Sequence, residues 1–89
     1  MTDEWIRRER SFRGISTRLA IKYLETLGGE QTSETRVEAD DWAVDLSAQT
    51  VGVGPSMSLT QVDLVFEGDP DALDPLIERF AQKAMRAGG

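Results

Sequence analysis

The sequence contains no cysteine and no histidine. The first absence excludes a disulfide scaffold, a thiolate metal site and a thiol nucleophile; the second removes the usual general base and the commonest metal ligand. No catalytic, metal-binding or cofactor-binding residue is assigned on this basis, no cofactor is expected, and the chain reads as a non-enzyme. Lysine is also scarce, with Lys22 and Lys83 the only two among ten basic residues, against sixteen acids. Acid-rich, lysine-poor surfaces suit a high-salt cytoplasm, where ions screen their mutual repulsion. The apolar runs fall far below the ~20 residues needed to span a bilayer, and the opening MTDEWIRRER has no apolar core of a signal peptide. The expectation is a cytoplasmic protein with no membrane partner.

What is present is one domain's worth of chain, residues 1–89, with a net charge of -6. A chain of this size buries only roughly 60 to 65 percent of its unfolded surface, so its core must be used efficiently and a partner subunit would help. The charge is unevenly placed. Up to Leu24 there are six basic residues and three acids, whereas the remainder has four and thirteen.

GISTRLAIKYLETLGGE places Ile15, Leu19, Ala20, Tyr23, Leu24 and Leu27 at helical spacing, with Ser16 or Thr17 available as the cap and Gly28-Gly29 as the stop. A second helix is announced by GDPDALDPLIERFAQKAMR, where Asp69 caps, Pro70 occupies the first helical position and Asp71 complements the dipole. Leu73, Leu76, Ile77, Phe80 and Ala81 form its expected buried face, which ends at Ala84 or Met85. Pro75 is near enough to the start to be tolerated.

Between the helices the period becomes two. TRVEA puts Val37 and Ala39 on one face; WAVDLS puts Trp42, Val44 and Leu46 inward and Ala43, Asp45 and Ser47 outward. TVGVG reads as a separate short strand broken by glycine and Pro55, and SLTQVDLVFEG as the clearest strand, with Val62, Leu64 and Phe66 on one side. Asp40 and Asp41 fit a tight turn. The opening EWIRRERSF alternates imperfectly and fits a strand, a helix or an arm; Gly14 before the first helix and the need for an edge partner favour a strand. The predicted fold is α+β in the order β-α-β4-α, an antiparallel sheet with two helices on one face.

TRLAIKYLETLGGE, the isolated Trp42, VGVGPSMSLTQVDLVFEGDPDALDPLIERF and above all KAMRAGG resemble the C-terminal domain of MoaD-related proteins, over roughly residues 12–89. In that family the domain can follow a ubiquitin-like domain similar to the small, sulfur-carrying subunit of molybdopterin synthase. The resemblance implies a TATA-binding-protein-like fold, with the element order derived above. This chain shows no counterpart of the carrier domain, and the resemblance carries over no catalytic residue.

The expected role is an accessory or protein-interaction domain linked to molybdopterin or sulfur-carrier metabolism. The alternative is a ubiquitin-like modifier or sulfur carrier acting through Gly88 and Gly89. A carrier tail must be extended and mobile, whereas the amphipathic pattern here continues to Ala84 or Met85; ETLGGE, moreover, closes the first helix with the same dipeptide. A third reading joins Arg7, Arg8, Arg10 and Arg13 with Trp5 and Phe12 as a nucleic-acid stripe; the acidic remainder argues instead for a solvated strand facing acidic surfaces or a partner subunit. Asp40, Asp41 and Asp45, or Glu67, Asp69 and Asp71, are oxygen donors without the spacing of a calcium loop. VGVGPSMS lacks the lysine and following helix of a phosphate-binding loop and reads as a turn. Leu59 and Val65 fall in the strand parity opposite Val62, Leu64 and Phe66, which fits either an interface, with a homodimer or another protein as partner, or ordinary scattered surface hydrophobicity.

Overall fold

The computed structural model describes residues 5–88, with side chains through Met85. Strand β1 (Ile6–Arg13) is followed by helix α1 (Thr17–Thr26), strands β2 (Glu30–Ser33), β3 (Arg36–Glu38), β4 (Trp42–Gly54) and β5 (Met57–Gly68), and helix α2 (Pro70–Gly88). The sheet is wholly antiparallel, in the order β1-β5-β4-β3-β2. Since β1 and β2 lie at opposite edges, the connection that carries α1 must cross the sheet to join them, with α1 itself over β2, β3 and β4. The α+β class, the antiparallel sheet and the two helices agree with the sequence reading, and the opening segment is a strand.

The strands are divided differently from that reading. WAVDLS and TVGVG are one continuous strand, because Gly52 and Gly54 sit at an irregularity beside the tip of a hairpin and Pro55-Ser56 makes its turn. Strand β2 was not expected. Its four residues are all exposed, so they carry no period-two signal, and only main-chain pairing with β3 makes them a strand.

One face of the sheet carries the core. Val37, Trp42, Val44, Leu46, Val62, Leu64 and Phe66 pack with Ile15, Ala20, Ile21 and Leu24 from the first helical segment and Leu73, Leu76, Ile77, Phe80 and Ala84 from α2. Phe80 joins four elements: its ring lies edge-on to Phe12, Tyr23 and Phe66 at centroid distances of 5.1, 5.9 and 6.0 Å. The α1 face is rotated from the expected one. Ile21 is buried, while Leu19, Tyr23 and Leu27 are half-buried at its margin. At the other end of the core Ala81 is half-buried and Met85 is 72% exposed, so the α2 face stops at Ala84. Ala43 points away from the helices, as expected, yet is buried between neighbouring strands.

The helix ends follow local chemistry. The Ser16 hydroxyl accepts the Leu19 N–H at 3.1 Å, which settles the choice of cap. Gly28 closes α1 at φ 110°, a left-handed conformation that turns the next N–H, that of Gly29, back to the Leu24 carbonyl at 3.0 Å. Gly29 is needed for a different reason: a Cβ there would lie 2.5 Å from Trp42 Cη2 and from Val37 Cγ1, so the turn packs its bare backbone on the core. Asp69 caps α2 by accepting the Asp71 N–H at 2.9 Å, and the helix runs on through Pro75. No helix among the described residues is long and apolar enough to cross a membrane.

Candidate functional site: the projecting hairpin

The molecule is 49 Å long and only 21 by 20 Å across. Its length comes from the β4–β5 hairpin, which continues past the end of the helical layer. Strand β3 pairs with β4 only as far as Asp45, with one more bond from the Leu46 N–H to the Thr35 carbonyl. On the other side β1 follows β5 to Gln61, and the Gly14 N–H donates to the Thr60 carbonyl. From there to Pro55-Ser56 the hairpin is a two-stranded arm, exposed along nearly its whole length.

The arm is chemically unlike the rest of the chain. Residues 46–62 contain no charged side chain, in a protein of which 29% is charged. Its apolar residues lie towards the tip: Val53, Met57 and Leu59 are 41%, 64% and 40% exposed, and Val51 pairs directly with Leu59. The alternation that buries Leu46 and Val62 places Val51 and Leu59 on the face away from the helices.

That helix-distal face is zoned. Over the five-stranded part it is polar. Arg36 donates to Glu38 at 2.6 Å and to Asp45 at 2.7 Å, and those two bonds raise its already high pKa. Further along, the Asp63 carboxylate accepts from the Ser11 hydroxyl (2.6 Å), Gln61 (2.8 Å) and Gln49 (2.9 Å), an arrangement that holds it below the usual carboxylate range. Beyond this cluster the face turns apolar. Leu59 and Val65 share the face but not a patch: six residues separate them along β5, about 20 Å, with Gln61 and Asp63 between. Leu59 joins Val51 and Met57 at the tip, whereas half-buried Val65 is flanked by Glu9 and Asp45. Val51, Val53 and Met57 went unnoticed in the sequence because VGVGPSMS looked like a turn; the absence of charge over residues 46–62 was the available signal.

The remaining candidates are dispersed. Alternation along β1 sends Arg7 and Arg13 to the helix-distal face, in register with Glu67 and Gln61, and Arg8 and Arg10 to the other, in register with Phe66 and Leu64. The four arginines therefore do not form one stripe. Asp40 and Asp41 line an open hollow of about 510 Å³ beside Trp42 with Glu30 and Glu38, but Asp45 lies on the distal face against Arg36. Glu67 is on the sheet, Asp69 is engaged as a cap and Asp71 is exposed in the first turn of α2. Among the described residues no three acidic side chains converge as a metal site. A second hollow, about 690 Å³, runs between α1 and the β2–β3 hairpin, lined by Thr17, Arg18, Ile21, Lys22, Gln31 and Glu34. It mixes both charges over an open surface. Of the two terminal glycines, Gly88 belongs to α2 and Gly89 lies outside the described residues.

No curated protein matches the chain. Residues 8–89 match the family of archaeal MoaD-like proteins. With the match running from the third residue of β1 to the last residue of the chain, the protein belongs to that family.

Proposed function

We propose that this protein is a non-enzymatic, cytoplasmic accessory domain that works by protein contact in a sulfur-carrier or molybdopterin context, on a TATA-binding-protein-like arrangement of its sheet and helices. The observation that carries this reading is the course of α2, which stays helical through Gly88 and is anchored in the core by Phe80 and Ala84. A carrier must thread an extended tail into an adenylating active site. Gly88 is helical here, so threading it would require the end of α2 to unwind. The sheet order and the packing of both helices on one face support the proposed arrangement.

The family supplies the observation that favours a second reading. A MoaD-like description is compatible with a carrier whose Gly89 carboxylate is activated. Incubating the purified chain with a sulfur-carrier-activating enzyme and ATP, followed by intact-mass analysis, separates the two. Contact function predicts no C-terminal acyl-adenylate or thiocarboxylate, and deletion of Gly89 that changes nothing. A product on Gly89, lost in the deletion, would establish the carrier reading instead.

A further inference from the structure

We infer that the free edge of β4 on the projecting arm binds a second copy of this chain, strand to strand and antiparallel, in a twofold pair centred near Val51. The Trp42 carbonyl and the Leu46 N–H both point towards the β3 side. Main-chain polar groups alternate along a strand, and the β4–β5 register runs unshifted from Trp42 to Gly52. Ala48, Thr50 and Gly52 therefore direct their N–H and C=O groups outward. Among the described residues no strand meets them.

Exposed sheet edges invite pairing and are ordinarily blunted by charge or by being short. The two outermost strands of this sheet follow that rule. β1 carries Arg7, Arg8, Glu9, Arg10 and Arg13, and β2 is four residues long and begins with Glu30. The β4 edge from Ser47 to Gly54 has neither protection: it is eight residues long, about 25 Å, and uncharged. Only the irregularity at Gly52/Gly54 and Pro55 limit it at the tip.

The lack of charge makes this edge the place where a second copy meets least repulsion. Two copies at -6 each repel one another over most of their surfaces, and residues 46–62 are the longest stretch where neither brings a charge. Antiparallel pairing of a strand with itself is self-complementary and closes as a dimer instead of propagating. Centred on Val51, it bonds Thr50 to Gly52 of the second copy and the reverse. It also aligns Leu59, Val51, Val51 of the second copy and its Leu59 in one apolar row on the helix-distal face. This inference rests on reading the protein as a contact domain. The adenylation assay tests that reading alone, since a monomer would leave it standing and a Gly89 adduct would leave the dimer measurable.

Sedimentation velocity on the whole chain, from micromolar to millimolar and at low and high salt, tests the pairing, together with two variants. Val51→Lys sets like charges opposite one another at the twofold, and Thr50→Pro removes an outward N–H without touching the bonds to β5. The wild type should dimerise with concentration, more tightly at high salt, where charge repulsion is screened. Each variant should weaken the dimer at least about tenfold. Hydrogen exchange supplies a readout independent of how well Thr50→Pro folds: the Thr50 and Gly52 amides should slow as concentration rises, while those of Gln49 and Val51, directed at β5, should not. A wild type that stays monomeric at both salts overturns the inference, and so does a dimer that both variants leave intact or that protects other amides.

Discussion

Truncation of Phe80 tests the packing on which every other feature depends. Its side chain is fully buried, and it holds α2 to β1, α1 and β5 through the edge contacts with Phe12, Tyr23 and Phe66. Phe80→Ala removes the apolar surface and leaves a cavity, a change that costs about 3 to 5 kcal/mol. The three aromatic pairs, each worth about 0.5 to 1.5 kcal/mol beyond area burial, place the loss towards the top of that range. A domain of 89 residues has roughly 4 to 13 kcal/mol in total, so the variant should be close to unfolding at room temperature. Urea titration followed by the fluorescence of buried Trp42 and by far-ultraviolet circular dichroism measures the difference, with an unchanged slope showing that the denatured state is the same. A loss below about 1 kcal/mol at constant slope would mean that Phe80 is not the junction of the core, and would refute the placement of α2.

Two neighbouring glycines should fail for separable reasons. Gly29→Ala drives a methyl into Trp42 and Val37 and should cost about 1 to 3 kcal/mol with a changed Trp42 near-ultraviolet signal; Gly28→Ala meets open space but a φ of 110°, and should destabilise without moving that signal. Asp63 contributes through protonation. Its folded pKa is depressed, by the Ser11 bond first, then Gln61, then Gln49, so its stabilisation is present above the unfolded value of about 3.9 and is lost as pH falls through the folded value. Ser11→Ala should raise the Asp63 carboxyl pKa in an NMR titration and flatten the acid limb of stability, and an unchanged titration would show that the Ser11 bond is not made in solution.

Much of this fold was legible in the sequence because it is dictated locally. Ser16, Gly28, Asp69 and Pro70 mark helix ends through hydrogen bonds and φ values reached within a few residues, and the alternation of Val62, Leu64 and Phe66 separates the two sheet faces without knowledge of any neighbour. Other features were decided only in three dimensions. β2 has no buried residue and exists because β3 offers it main-chain partners. Ile21 replaces Leu19 on the α1 core face because the crossing over β2, β3 and β4 sets the rotation of the helix, which spacing alone leaves free by one residue either way. Residues 46–62 announced their lack of charge in the sequence, but a stretch of Gly, Pro, Ser and Val is equally a turn or a strand until its pairing is known. Tertiary structure made it an arm by starting β3 only at Arg36, opposite Asp45, and ending β1 at Arg13 while β4 and β5 ran on, and that mismatch of strand lengths leaves the outward main-chain groups of Ala48, Thr50 and Gly52 facing solvent.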